Sequence, residues 1–250
     1  MSDSTLPSLT LEAQRISKKF SDEGLHVKLL GGLAVWMTCP SAQLSGLARA
    51  YGDLDFITPK KEVRALNQIF IFSGYVEDKL FNAIHGATRL IYIDQSNARP
   101  VDVLVDNFKM CHEIELKHRL SHSGSTISSE DLLLTKLQIV SMTEKDLVDL
   151  IAMLIDQEFD GGYISDLLSN DWGFEKTVLQ NLVRITEHLE TVKIDPALKI
   201  ISKKRIQDLN LEIEVHTWGS AAKERNRQEF QEREEKRNMQ MPKDVEEFLG

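Results

Sequence analysis

The sequence contains only two cysteines, Cys39 and Cys111, among its 250 residues. Two thiols cannot build the disulfide framework of a small secreted domain, and these two lack the spacing of a thiolate metal site. The chain also lacks an apolar run long enough to cross a bilayer, and Met1 to Pro7 lack the basic and then apolar pattern of a signal peptide. These absences predict a protein of the reducing cytoplasm with no membrane anchor.

Positive charge is scarce as well, since 30 lysines and arginines face 39 aspartates and glutamates, a formal charge of −9. An acidic chain argues against nucleic-acid binding driven by charge over the whole surface, although it leaves room for a local basic groove. The composition is otherwise that of a globular protein of one or two domains. The acidic excess fits a site that concentrates carboxylates and neutralises them with a metal ion.

One motif, Asp53-Leu54-Asp55, is the only Asp-x-Asp in the chain. In a strand its side chains alternate, so both carboxylates lie about 7 Å apart on one face while Leu54 and Phe56 face a core. Two such carboxylates can bind a hard cation such as Mg²⁺, and without a partner they repel each other. Two solvated aspartates on an edge strand would also fit the motif, so its context has to decide.

Helical and strand patterns alternate on both sides of this motif. The segments Leu44–Ala50 and Phe81–His85 have no clear pattern and stay unassigned. The predicted helices are Leu9–Phe20, Leu33–Met37 and Lys60–Ser73, and the predicted strands are Val27–Leu30, the Asp-x-Asp strand up to Thr58, Arg89–Asp94 and Pro100–Asp106.

The second half reads as helical, with N-cap patterns at Ser128, Thr143 and Asp171 and a turn at Gly161-Gly162. The sequence therefore predicts an α/β (α+β) protein: a small mixed sheet with flanking helices over residues 1–125, and a helical domain over residues 126–250. The predicted helices here are Leu132–Met142, Lys145–Ile155, Trp172–Glu190 and Ile201–Arg237, the last ending in the mixed-charge stretch Glu224–Arg237 that is typical of a solvated helix face.

Three features of the first domain occur in order: the Gly31-Gly32 pair after a strand, the Asp-x-Asp strand, and Asp102 on a later strand. This order resembles the nucleotidyltransferase superfamily of DNA polymerase β type, which combines a glycine-containing strand–helix junction, an Asp-x-Asp strand and a third carboxylate. The matching stretches are Leu30–Val35, Arg49–Phe56 and Val101–Asp106.

Two later stretches, Asp131–Leu137 and Lys145–Leu150, resemble the helical motifs of one branch of that superfamily. The branch includes the abortive-infection (AbiE-type) toxins and related uncharacterised proteins, and the resemblance covers about residues 25 to 155. One departure is the gap between Gly32 and Asp53, which is longer than in the most compact members. Pro40–Gly46 looks like an insertion that alters nucleotide access.

The resemblance implies a role for each matching residue. Asp53 and Asp55 would hold the Mg²⁺ that bridges the nucleotide phosphates, and Asp102 would complete a second metal site and help to activate the attacking hydroxyl. The Gly31-Gly32 pair would let backbone N–H groups approach the phosphates at a helix N-terminus. Asp106 is predicted on the same face as Asp102 and is the competing choice, although the family pattern favours Asp102.

Lys136 has apolar neighbours three and four positions away on its predicted helix. A buried ammonium needs an anion, and either a triphosphate or a structural ion pair with Asp146 or Asp149 would supply one. Both aspartates also suit a helix N-terminus without further function, and the match to the branch adds Asp146 to the expected site. Arg89 is expected to flank a strand rather than to reach a nucleotide.

Together, these residues and the resemblance predict an enzyme with its active site in a cleft between two domains. It would use Mg²⁺ to transfer a nucleoside monophosphate from a triphosphate such as ATP to a hydroxyl of tRNA or another RNA end, a protein or a small molecule. The branch implies a toxin-like role with an antitoxin-type partner. The alternatives are a non-catalytic nucleotide-binding or regulatory module on the same fold, and a regulatory protein that acts through its charged C-terminal helix.

Overall fold

The computed structural model describes residues 4–217, which are organised on a mixed five-stranded sheet with the strand order β1-β2-β5-β4-β3. Strands β2 and β5 are parallel, and the other neighbouring pairs are antiparallel. The prediction of a mixed α/β architecture with a small mixed sheet is confirmed. The strands are β1 Lys28–Leu30, β2 Leu54–Thr58, β3 Val76–Glu77, β4 Arg89–Asp94 and β5 Arg99–Val105.

Aromatic residues fix which face of the sheet is buried. Phe56 of β2 packs edge-to-face on Phe20 of α1 (Leu9–Asp22) and on Phe70 of α3 (Val63–Phe72), and Phe70 stacks on Tyr92 at a centroid distance of 4.4 Å. Such pairs contribute about 0.5–1.5 kcal/mol each beyond their buried area. Because strand side chains alternate, Asp55 must project from the opposite face.

Smaller elements surround that opposite face. Helix α2 (Gly31–Thr38) follows β1 directly, a 3₁₀ turn covers Pro40–Gln43, and α4 is Lys79–His85, a segment that the sequence pattern left unassigned. Strand β3 and the hairpin of β6 (Asn107–Lys109) with β7 (Glu113–Glu115) were not predicted, because two- and three-residue strands carry too few alternating residues to give a pattern.

The remaining described residues after β7 form helices and connecting turns. Ser128 caps the first helix through the Asp131 N–H, and Thr143 and Asp146 form a reciprocal capping box, so both predicted N-termini are confirmed. These helices are α5 Ser129–Leu137, α6 Glu144–Asp156, α7 Gly161–Leu168, α8 Trp172–Thr191 and α9 Pro196–Thr217.

Several helix boundaries differ from the prediction; helix α9, for example, begins at Pro196 instead of Ile201. Gly161-Gly162 is not a turn but the start of α7, because the side chain of Asp160 accepts a hydrogen bond from the Tyr163 N–H and caps the helix. Helix α5 ends at Leu137 instead of Met142, with Gln138 as its C-cap. The part of the predicted helix Ile201–Arg237 beyond residue 217, with its charged stretch Glu224–Arg237, lies outside the described residues.

The α/β and helical parts share one hydrophobic core. Their connection runs along the edge of β1, where the Leu29 N–H donates to the Ser125 carbonyl at 2.7 Å and the Ile127 N–H donates to the Leu29 carbonyl at 3.0 Å. Within residues 4–217, no helix combines the length and the apolar character that a bilayer crossing requires.

Candidate active site

A cavity of about 380 Å³ lies between the free face of the sheet, the start of α2, the β6–β7 hairpin and helices α5 and α6. It therefore draws on residues from both sides of the predicted domain boundary. The charged residues and glycines that line the cavity are Gly31, Gly32, Asp55, Arg89, Asp102, Lys109, Lys136 and Asp146. The other lining residues are Leu30, Phe56, Leu104, Phe108, Met110, Thr135 and Ile139.

Asp55 and Asp102 lie side by side at the base of this cavity. Their strands β2 and β5 are parallel, and the register pairs Asp55 directly with Asp102, so both carboxylates project from the same face of the sheet. Asp53 precedes β2 by one residue and is exposed to solvent beside them. Of these three carboxylates, those of Asp55 and Asp102 line the cavity, and the negative charge of Asp53 acts on Asp55 from outside the lining.

The electrostatic setting of Asp55 is unfavourable for its charge. Burial, together with the negative charges of Asp53 and Asp102, raises the pKa of Asp55 from 3.8 to about 7, although Lys136 and Arg89 oppose the shift. A carboxyl group with such a pKa lacks enough positive charge around it. A divalent cation would supply that charge.

Gly31 and Gly32 stand at the start of α2 for steric reasons that the structure makes explicit. Gly31 has φ +73°, a left-handed conformation that side chains disfavour, and a Cβ at this position would overlap the Asp55 carboxylate. A Cβ at Gly32 would overlap the guanidinium of Arg49. The glycine pair therefore brings the N-terminus of α2, with its unpaired N–H groups, against the carboxylates.

Arg89 departs from its predicted role, because its side chain reaches into the cavity and binds Asp102. Its Nε donates to both Asp102 carboxylate oxygens at 2.9 Å, and its Nη2 donates to Oδ2. These hydrogen bonds, which Arg89 donates to Asp102, raise the pKa of Arg89 by more than desolvation lowers it. The guanidinium also lies 5.9 Å from the ring centroid of Phe81 on α4.

Lys136 and Asp149 form a buried ion pair behind the cavity. The Lys136 Nζ lies 2.7 Å from Asp149 Oδ2 and 3.8 Å from Asp146 Oδ1, so the structural ion pair that was open at the sequence level is present. Asp149 also accepts two hydrogen bonds from Arg49, at 2.6 and 2.8 Å, and one from the Tyr51 hydroxyl at 3.3 Å. It lies in the middle of α6 and is not the N-terminal helix charge that was considered.

The two remaining candidates, Asp146 and Asp106, differ in whether they line the cavity. Asp146 lines the cavity while its Oδ2 accepts hydrogen bonds from the N–H and hydroxyl of Thr143. Asp106 does not share the face of Asp102, because it follows the end of β5 with φ +63° and its carboxylate accepts the Lys60 N–H at 2.9 Å. This places Asp102, and not Asp106, beside Asp55.

The Pro40–Gly46 segment, expected to alter nucleotide access, contributes no residue to the cavity lining. It is held against α6 instead, since the N–H and hydroxyl of Ser41 both donate to the Asp156 carboxylate. Four apolar side chains of the lining come from β5, from the β6–β7 hairpin and from the residues after α5. These are Leu104, Phe108, Met110 and Ile139.

The donor set suits a hard divalent cation, although among residues 4–217 no three His, Cys, Asp or Glu side chains are arranged as a metal-binding group. Carboxylate oxygens are the ligands that Mg²⁺ prefers, and the raised pKa of Asp55 indicates uncompensated negative charge. The cavity lining contains three carboxylates (Asp55, Asp102 and Asp146) and three cations (Arg89, Lys109 and Lys136), and the nearby Asp53 adds a negative charge that acts on Asp55.

No protein-family model matches the chain, and no curated protein sequence matches it.

Sequence reasoning did not assign Arg89 or Arg49 to this site, and it left Asp149 as one of two possible ion-pair partners of Lys136. A signal existed for each. Arg89 and Asp102 lie on adjacent predicted strands, Arg49 belongs to the matched Asp-x-Asp stretch, and Asp149 follows Asp146 by one helical turn. Only the register of β4 on β5 shows that Arg89 is diagonal to Asp102.

Proposed function

We propose that this protein is a nucleotidyltransferase of the DNA polymerase β type, which transfers a nucleoside monophosphate from a nucleoside triphosphate to an acceptor hydroxyl. One observation carries the proposal: Asp55 and Asp102 are paired in register on parallel strands, and Gly31 at the start of α2 lies against the Asp55 carboxylate. A helix N-terminus, which is an element that can bind phosphate, and two carboxylates, which are groups that can bind a cation, therefore line one cavity.

In the proposed reaction, the acceptor oxygen forms a bond to the α-phosphorus as the bond from that phosphorus to the bridging oxygen breaks. Pyrophosphate leaves with the electron pair, and the hydroxyl proton passes to the Asp102 carboxylate or to water. The N–H groups at the start of α2 would bind phosphate oxygens, and the buried Lys136 would add positive charge on the other side of the cavity.

Mg²⁺ held by Asp53, Asp55 and Asp102 would neutralise the phosphates and stabilise the charge that develops on the attacking and leaving oxygens. The chain itself fixes where these carboxylates lie. Asp55 and Asp102 are held by the sheet ladder, and Arg49 and Lys136 hold α6 against the cavity through Asp149.

The proposal is tested by label transfer. The protein is incubated with Mg²⁺, each triphosphate labelled at the α-phosphate, and total RNA or cell lysate, and the labelled product is then identified. We expect transfer by the wild type and at least a hundredfold loss in Asp55→Asn, because each interaction of this kind contributes on the order of 10²-fold or more. Asp22→Asn, which removes an exposed carboxylate on α1, is the matched control and should retain full transfer.

Transfer by Asp55→Asn at the rate of the wild type would contradict the proposal. The labelled product also identifies the acceptor class: an RNA end, a protein or a small molecule. The acidic chain carries few basic clusters, such as Lys203-Lys204-Arg205 on α9, so the whole-chain charge favours none of the three.

A toxin-like role is a further part of this proposal, and it would require an antitoxin-type partner to restrain the enzyme. Expression of the wild-type protein alone should arrest bacterial growth, whereas expression of Asp55→Asn to the same level should not. Equal growth of the two cultures would contradict the toxin role and leave the transferase reaction to the label assay.

A second candidate, a non-catalytic nucleotide-binding module, is favoured by one observation: Asp102 is already engaged by Arg89. Calorimetry with Mg²⁺ and each triphosphate separates the two functions when it is read beside the label assay. Nucleotide binding without transfer to any component of the lysate would favour the module, and binding with transfer would exclude it.

A further inference from the structure

The Arg89 side chain binds Asp102, the carboxylate that the proposed reaction needs. Both oxygens of Asp102 accept hydrogen bonds from the guanidinium, and the two side chains lie on the same face of the sheet as Asp55. Among the described residues, the positive charge closest to Asp102 is therefore the guanidinium of Arg89. A cation that approaches Asp102 must compete with this ion pair.

The Arg89 side chain has freedom to leave while its backbone remains in place. The Arg89 backbone is fixed opposite Leu104 by the β4–β5 ladder, but half of the side chain is exposed, against 24% for Asp102. A half-exposed ion pair is worth little in free energy, and a guanidinium on a flexible stem can change partners at low cost. Arg89 and the N-terminus of α2 line the same cavity, so a released guanidinium remains where a triphosphate would bind.

We propose that Arg89 is an exchangeable positioning residue, which holds Asp102 in the metal-free protein and transfers to the nucleotide triphosphate when a divalent cation takes its place on Asp102. This inference rests on the proposed function for the identity of the anion. The planar guanidinium suits both partners, because carboxylate and phosphate oxygens accept the same paired N–H donors.

The proposal predicts effects of opposite sign on two affinities, which a merely structural role would not produce. Without Arg89, Asp102 is free, so Mn²⁺ alone should bind Arg89→Ala about three- to tenfold more tightly than it binds the wild type. The triphosphate in the presence of Mn²⁺ should bind about three- to tenfold more weakly, because one of its cationic partners is gone. Arg89→Lys keeps the charge without the paired donors and should lie between the two.

Mn²⁺ binding is measured by electron paramagnetic resonance on the full chain, first with the metal alone and then with a non-hydrolysable triphosphate. Arg64→Ala, which removes an exposed arginine of α3 outside the cavity lining, is the control and should change neither affinity. Circular dichroism establishes that Arg89→Ala is folded, and the Arg89→Lys result decides the matter if it is not.

Tighter Mn²⁺ binding together with weaker triphosphate binding supports the exchange. Unchanged or weaker binding of Mn²⁺ alone overturns it, as does the absence of Mn²⁺ binding in both proteins. The proposed reaction fails separately: if Arg89→Ala binds Mn²⁺ more tightly but the wild type transfers no label, the exchange survives and the transferase assignment does not.

Discussion

At the scale of single residues, the cavity is built at a cost to stability. Asp55 is held beside two other carboxylates, and burial and those charges raise its pKa to about 7. Lys136 and Asp149 remain buried as ions because each neutralises the other, and Arg49 adds two further hydrogen bonds to Asp149. For Asp55, the charges of Lys136 and Arg89 oppose only part of the effect of burial and of the neighbouring carboxylates.

This difference predicts the effect of Asp55→Asn on stability. Because the pKa of Asp55 is higher in the folded chain than its ordinary value of 3.8, ionisation destabilises the fold increasingly as the pH rises from about 4 to about 7. In metal-free buffer, Asp55→Asn should raise the free energy of unfolding by roughly 1–3 kcal/mol at pH 8 and by almost nothing at pH 4. Urea denaturation with a chelator present measures both values.

Asp22→Asn serves again as the control, since its exposed carboxylate should give no such pH-dependent difference. An Asp55→Asn variant that is less stable than the wild type at pH 8 would show that Asp55 is well compensated in the metal-free protein, contrary to this account.

The residue scale is also where sequence reasoning was most informative and most fallible. Strand alternation alone placed Asp53 and Asp55 on one face, whereas the choice of Asp102 came from the resemblance to the family pattern, and only the structure gives its register with Asp55. The same alternation failed for Asp106, because the chain turns into a left-handed conformation one residue after β5 ends. A pattern of period two contains no information about where the strand stops.

At the scale of elements, the junction of β1 and α2 sets the geometry of the cavity. The chain passes from strand to helix at Gly31 without a connecting loop, and this residue, which has a positive φ, lies against the Asp55 carboxylate. The predicted glycine pair is therefore needed for close approach. Gly161-Gly162, which has the same sequence, only begins α7.

Gly31→Ala should therefore lose both stability and label transfer. The left-handed backbone costs an alanine about 1–2 kcal/mol, and the Asp55 carboxylate has to move away from the new methyl group. Urea denaturation and the label-transfer assay measure the two effects. Gly52→Ala is the matched control, because a Cβ there meets no atom within 4 Å, and its stability should stay within about 1 kcal/mol of the wild type.

A Gly31→Ala variant with wild-type stability and transfer would show that the close approach of α2 to Asp55 is not required.

The helix starts at Ser128 and Thr143 were predictable because capping is a local signal, carried by side chains three residues apart. The β6–β7 hairpin was not, because its three-residue strands are defined by their pairing with each other.

At the scale of the whole molecule, the cavity joins the two halves of the chain. Asp149 of the helical half binds Arg49, which precedes β2, so the ion pairs that support Lys136 also hold α6 against the α/β half. The hydrophobic core is continuous across the same boundary. The predicted change from mixed to helical structure lies between β7 and α5, but the cavity depends on contacts that no local pattern encodes.

The proposed function depends most directly on the binding of one divalent cation by both Asp55 and Asp102. Anomalous diffraction from crystals soaked in Mn²⁺ with a non-hydrolysable triphosphate tests this without reference to turnover. We predict an anomalous peak bonded to both carboxylates, with Arg89 displaced from Asp102 toward the phosphates. The absence of a peak in the cavity, with Asp102 still bound to Arg89, would contradict the central claim.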